Sequence, residues 1–296
     1  INDVLEVPLS KNRMQKETLE AMWSAVSKHK KNFTNYLNHK GKINHAEKMQ
    51  SYNFWAPLTI TPRKIDYDNA IDLVKLQFRK FGPKLEQFVV KAIEKGWIES
   101  ENRSKKSAAA FCAGFPLTEE SRVFMTYSGT MMSVLTLVHE LGHAFHNSAM
   151  DGQHGLNKQY PLSIAETAST FSEIILLDAA IENAITKEEK IMLLDEKIKR
   201  SVMNFMNIHS RFLFEQNFYE ERKTGYVSAD RLNEIMQDAI SVGYKDSLNN
   251  VSAYTWLWTP HFYMTNAPFY NFSYTFGYLL ALSLFAKAKE MGADFE

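Results

Sequence analysis

The sequence predicts a mainly α fold with one small β-hairpin, and three features predict it. Most of the chain divides into stretches of helical length in which apolar residues recur every three or four positions, with glycine and proline between them. Only one region, around Val-Phe-Met-Thr-Tyr at 123–127, reads as strand. And one segment, LTLVHELGHAFHNSAM from Leu135 to Met150, is apolar around so much of its circumference that it must be a buried helix.

The 296 residues suffice for a sizeable core, and 45% apolar with 23% charged residues is ordinary globular composition. A formal net charge of zero gives no general attraction to nucleic acid or to an anionic membrane. No apolar run reaches the ~18 residues of a membrane span, and no signal-peptide pattern opens the chain. The single cysteine, Cys112, cannot form an internal disulfide, which suits the reducing cytoplasm. Composition says nothing of oligomeric state. The chain opens on Ile1 inside helical sequence and stops at Glu296 directly after a helical run, so both ends are expected to be cuts in a longer protein.

Taken in order, Lys11–Leu37 carries Met14, Leu19, Met22, Trp23, Val26 and Phe33 at helical spacing, with a possible break near Lys30 and an end at Gly41. Ala56–Pro62 reads as a connector. Asp66 or Asp68 can cap the next helix, which stops at Gly82-Pro83, and another runs from Leu85 to about Lys95. Ser107–Phe115 and Arg122–Tyr127 then form the hairpin, which is expected to border the buried helix. It is either purely structural or an exposed edge that pairs with an extended peptide. A loop at Asp151–Pro161 leads to a helix over Ser163–Ala184. A long one covers Thr186–Glu221, and Ser228 or Asp230 caps one over Ser228–Val242. The charge runs Lys187–Lys190 and Asp195–Arg200 read as solvated faces.

Within the buried helix lies His139-Glu140-Leu141-Gly142-His143. Imidazoles and a carboxylate in a dry interior need partners. Residues four apart share one helix face, roughly 6 Å apart along the axis, so both rings can converge on one divalent ion. Glu140 is rotated off that axis, where it can take a proton from a water held beside the ion. A catalytic zinc keeps three protein ligands, and candidates for the third lie in Ser163-Ile-Ala-Glu166-Thr-Ala-Ser-Thr-Phe-Ser-Glu173. Glu166 and Glu173 are seven apart on one face, and register tolerates either. Ser163 and Glu166 also match a capping box, which would give Glu166 a purely structural task. A third histidine ten positions after the first is absent, since position 149 is Ala. His146 shares the ligand face but lies roughly 10 Å along the axis from His139. It reads as a supporting hydrogen-bonding residue.

YSGTMMSVLTLVHELGHAFHNSA, PLSIAETASTFSE, TPHFY and FYNFSYTFGY together resemble the oligoendopeptidase F group of the thimet-oligopeptidase-like family of zinc peptidases. The resemblance extends from about Lys11 to the end. It implies a zincin-type helical catalytic domain over 1–296, truncated at both ends, with 1–106 as a helical wall and 107–296 as the catalytic core. It implies one zinc ion on His139, His143 and Glu166, with Glu140 as catalytic base. Glu173 becomes a carboxylate that orients a zinc-binding imidazole. It also implies that His261, Tyr270 and Tyr274 contact substrate and oxyanion. Two departures stand out: the spacing after His261 is longer than the family's pattern, and Phe272 stands where a tyrosine is common, so one hydroxyl is missing.

The expected function is therefore zinc-dependent hydrolysis of internal bonds in short unstructured oligopeptides, in the cytoplasm. Two rivals remain. A metallocarboxypeptidase of similar helical build would need a cation for the substrate's terminal carboxylate, and none is identified in the sequence. A helical peptide-binding fragment without turnover is the other. Manganese or cobalt fits the same ligands.

Overall fold

The computed structural model describes residues 3–58, 64–107 and 109–292. In chain order these form α1 (Glu6–Lys11), α2 (Lys16–Ile43), β1 (Met49–Gln50), α3 (Tyr67–Phe81), α4 (Pro83–Glu94), β2 (Ile98–Glu99), β3 (Phe111–Phe115), β4 (Glu120–Phe124), α5 (Met131–Ala149), α6 (Leu162–Glu182), α7 (Lys187–Val202), α8 (Ile208–Arg222), α9 (Ala229–Tyr244), β5 (Leu248–Asn249), α10 (Thr255–Trp258) and α11 (Phe272–Met291). The mainly helical class with a small sheet is as the periodicity predicts. Of the connector expected at Ala56–Pro62, residues 59–62 lie outside the described part.

The chain folds into two compact units, one of residues 1–58, 161–163 and 194–276, the other of 59–160, 164–193 and 277–296. The stretch 1–106, expected to act as one helical wall, is thus shared between them. The second unit holds the hairpin and α5. Its core is built by Ile71, Val74 and Phe78 of α3, Phe88 and Val89 of α4, and Val134, Leu137, Val138 and Leu141 of α5. Strands β3 and β4 pair antiparallel, and β2 adds to β4 in parallel, so the order is β2-β4-β3 with β3 at the edge. Ladder bonding outlasts the strand: the Met125 and Tyr127 amides donate to the Glu99 and Ser100 carbonyls, each at 3.0 Å. The chain then turns at Gly129 into α5.

The first unit centres on Leu37, Met206, Phe214, Met236 and Tyr244. Here several local expectations are corrected. Helix α2 runs unbroken through Lys30 and past Gly41. It stops where Asn44 bonds the Lys40 carbonyl with both its backbone amide, at 3.1 Å, and its side-chain amide, at 2.9 Å. The helix expected over Thr186–Glu221 is divided into α7 and α8 by a π turn at Met203–Asn207. A second sheet, β1 paired in parallel with β5, has no sequence signal because two residues per strand show no periodicity. The caps agree better. Asp66 accepts from the Asn69 amide at 2.9 Å, and Ser228 accepts from the Arg231 amide at 3.2 Å.

The largest departure concerns charge. Asp195–Arg200 is not a solvated face, because Asp195 and Lys199, one turn apart on α7, point inward. Asp195 receives Lys40 Nζ at 3.0 Å, Lys199 Nζ at 3.2 Å and the Tyr36 hydroxyl at 2.5 Å. Lys199 also pairs with Glu196. Two buried ammonium groups therefore meet at one carboxylate, and removing it leaves Lys40 without its carboxylate and Lys199 with Glu196 alone. Asp195→Ala is expected to lower the unfolding free energy by about 3–5 kcal/mol. Urea unfolding followed by circular dichroism measures this, and a loss within about 1 kcal/mol would mean that the lysines reach water.

Candidate metal centre

Helix α5 begins at a reciprocal cap. The Thr130 hydroxyl accepts from the Ser133 amide at 3.2 Å, and the Ser133 hydroxyl oxygen accepts from the Thr130 amide at 3.0 Å. From there Val134, Leu135, Leu137, Val138 and Leu141 are fully enclosed, which fixes the rotation of the helix and turns His139 and His143 toward α6. What lets α6 come close is Gly142. A Cβ there would lie 2.7 Å from the Ser169 Cα and 2.8 Å from the Ala168 carbonyl oxygen, both backbone atoms. The same holds across the other side of α6. A Cβ on Gly277 of α11 would lie 2.9 Å from the Cβ of Glu166. Gly142 thus lets the polar strip of α6 sit against α5, and Gly277 lets α11 back it at Glu166. Their role in packing carried no signal in the sequence beyond the glycines themselves.

The result is convergence. His139 Nε2 lies 3.6 Å and His143 Nε2 4.0 Å from the same oxygen, Oε2 of Glu166. One ligand atom from each of the three residues falls within 4.8 Å of the others. Bonds of ~2 Å in a tetrahedral shell put ligand atoms about 3.3 Å apart, so a small contraction around an ion suffices. The two rings stand nearly perpendicular, 84° apart, as residues sharing one ion from successive turns can. Glu166 is not engaged in a capping box with Ser163, whose amide donates instead to Asn12 Oδ1 at 3.2 Å. Glu166 is buried, and Ser169 Oγ donates to its Oε2 at 3.3 Å.

Glu173, one helical repeat on, takes a different place. Its Oε1 lies 2.6 Å from His139 Nδ1, so the proton belongs on Nδ1 and Nε2 is the nitrogen offered to an ion. Electrostatics follow from burial in a cluster of like and unlike charges. Burial pulls His139 down, but the bond to Glu173 and the charges of Glu173, Glu166 and Glu140 outweigh it, and its pKa is pushed up to about 9. His143 is pulled down to about 3 by burial and by its histidine neighbours, which keeps it neutral and able to donate a lone pair. Burial pushes Glu166 above the usual carboxylate range. It likewise pushes Glu140 up to about 7, against the pull of His139. A carboxyl poised near neutrality is suited to both accepting and returning a proton.

The sequence profile of peptidase family M3 matches residues 77–295. The chain belongs to this family. It is 26% identical over 291 residues to an oligoendopeptidase F homolog of Lactococcus lactis, covering 95% of this chain and 47% of that protein. Among solved structures, PZ peptidase A superposes with a TM-score of 0.80 at 17% identity, over 98% of this chain and 52% of that one. Oligoendopeptidase F from Enterococcus faecium gives 0.66 at 17% identity, over 99% and 46%. The chain spans about half the length of the curated relatives it matches.

The remaining sequence candidates divide. His146 is not drawn into the cluster: it stacks on Tyr160, ring centroids 4.1 Å apart, and its buried Nδ1 has no hydrogen-bond partner among the described residues. His261, Tyr270 and Tyr274 belong to the first unit and form a cluster of their own. The His261 and Tyr270 rings stack in parallel at 4.6 Å, and Tyr274 lies 5.7 Å from His261. Phe272 is fully enclosed against Phe212, an apolar site with no call for a hydroxyl. Three polar residues missed in the sequence, Arg211, Glu215 and Asn271, sit behind this aromatic group. Arg211 and Glu215 are two among many polar residues on α8, and no motif singles them out.

If Glu173 orients His139, Glu173→Gln should weaken metal affinity about 10–100-fold while leaving the helix pair folded. Competition with a chromogenic chelator measures this. Unchanged affinity would reduce Glu173 to a structural partner.

Proposed function

We propose that this chain carries the catalytic site of a zinc-dependent endopeptidase that hydrolyses internal bonds of short, unstructured oligopeptides. The observation that carries the reading is the meeting of His139 Nε2, His143 Nε2 and Glu166 Oε2 beside the buried carboxyl of Glu140. The oligoendopeptidase F name of the Lactococcus lactis relatives supports the preference for internal bonds.

In this reading His139, His143 and Glu166 hold one zinc ion, and Glu173 fixes the His139 ring. Bound there, zinc supplies a Lewis acid that makes water acidic enough to attack near neutral pH and draws electron density from the scissile carbonyl. Glu140 takes the proton released as the water oxygen bonds to the carbonyl carbon. As the carbon–nitrogen bond breaks, Glu140 returns that proton to the departing amine, so the base ends the cycle as it began. Tyr270 and Tyr274 hydroxyls are donors suited to the oxyanion, and His261 acts with them on substrate.

The edge strand β3 is the proposed rail for the peptide. It lies against α5, and its Cys112 is close enough to feel the Glu140 charge, which with burial pushes the thiol up to about 12. Among the described residues only β4 pairs with it, and Phe111 and Phe115 stand half-exposed along it. A substrate held by main-chain hydrogen bonds there needs little sequence specificity. Among the described residues no helix is long and apolar enough to cross a membrane. The cytoplasm is the proposed site of action, a reading that rests on the lone cysteine.

Glu140→Gln should keep its zinc and lose hydrolysis of an internally quenched, end-blocked peptide by several orders of magnitude, whereas His143→Ala should lose the metal as well. Near-normal turnover by Glu140→Gln would exclude the assigned base. Blocking both peptide ends also decides the rival reading, since a carboxypeptidase spares such a substrate.

A further inference from the structure

We infer that Asn271 is a positioning residue: clamped by Arg211 and Glu215, it holds His261 with its proton on Nδ1 and leaves Nε2 as a hydrogen-bond acceptor, suited to a peptide N–H rather than to an oxyanion. The identity of that N–H rests on the peptidase reading; the tautomer does not.

An asparagine amide can be turned either way, and its neighbours decide which. Arg211 Nη1 lies 3.2 Å from Asn271 Oδ1, and a guanidinium only donates. Glu215 Oε2 lies 3.4 Å from Asn271 Nδ2; burial pushes this carboxyl up to about 7 against the hydrogen bonds from Phe269 and Asn271, and in its ionised form it accepts. Both partners impose the same orientation, with the amide fully enclosed between them. The oxygen so fixed is 3.2 Å from His261 Nδ1. An oxygen without a proton calls for a donor, so the imidazole proton sits on Nδ1. Burial and the Arg211 charge both hold the His261 pKa below its usual value, against the pull of Asn271. The ring is therefore neutral near pH 7, and Nε2 carries a lone pair.

Glu215 secures more than the amide. Its other oxygen accepts from the Phe269 backbone N–H at 3.0 Å. Phe269 has φ of +57°, the left-handed region that a bulky side chain seldom occupies. The carboxylate thus ties down the strained turn from which Tyr270 and Asn271 follow, and Tyr270 lies flat against the His261 ring.

The test is a long-range proton–nitrogen spectrum of the 296-residue chain with ¹⁵N-labelled histidine, His261 being assigned from the signal lost in His261→Gln. The expected result at pH 7.5 is a protonated Nδ1 and a bare Nε2. Asn271→Leu should shift the ring toward the Nε2–H form and lower kcat/KM on the end-blocked peptide about tenfold, the worth of one hydrogen bond, with metal content unchanged. Asn271→Asp keeps Oδ1 and should keep the proton on Nδ1. An Nε2–H tautomer in the wild type or in Asn271→Asp overturns the inference, and so does an unchanged tautomer in Asn271→Leu. Should Asn271→Leu fail to fold, the other two spectra still decide. Failure of the peptidase reading shows separately, as a wild type that spares the peptide while the tautomer stands.

Discussion

The contact between α5 and α6 governs the rest of the structure. Two imidazoles and three carboxyl groups lie in an interior where each alone would be strongly unfavourable. The imidazoles, Glu166 and Glu173 are tolerable because they face one another at hydrogen-bond and near-coordination distances, while burial pushes Glu140 up to about 7. That closeness depends on Gly142, where any side chain would collide with α6 backbone, and Gly277 lets α11 press on Glu166 from behind. The apolar stripe of α5 sets the rotation, Gly142 sets the separation, and the charges then have a single arrangement open to them.

A shared logic runs through the buried polar groups of both units. In each, a group able to adopt two states is held in one by neighbours whose chemistry is unambiguous. Glu173 can only accept from His139, so Nε2 of that ring is the nitrogen offered at the cluster. Arg211 can only donate to Asn271, so the amide oxygen meets His261. Asp195 binds Lys40, Lys199 and Tyr36 together, a structural counterpart with no part in the proposed chemistry. Such positions combine geometric definition with a large cost when one partner is lost.

Legibility in the sequence followed the range of the interaction. His139, Glu140 and His143 were readable because one helix displays them at a fixed spacing, and the hairpin because strand and turn residues are local signals. Glu166 and Glu173 shared a face, but which of them met the imidazoles depended on how two helices approach, which periodicity does not encode. The family resemblance, not the spacing, separated them. The inward turn of Asp195 and Lys199 was misread for the same reason: a charge run looks solvated until another helix supplies Lys40 and Tyr36. The β1–β5 pair joins residues about 200 positions apart and has no local trace at all.

The claim that everything turns on is that His139, His143 and Glu166 clasp one ion. Anomalous diffraction from crystals grown with zinc, with data on both sides of its absorption edge, tests this most directly. The expected result is a single peak bonded to both Nε2 atoms and to Oε2 of Glu166, with His139 Nδ1 still on Glu173. Rings turned apart with no peak between them, or zinc bound at other residues, would contradict it.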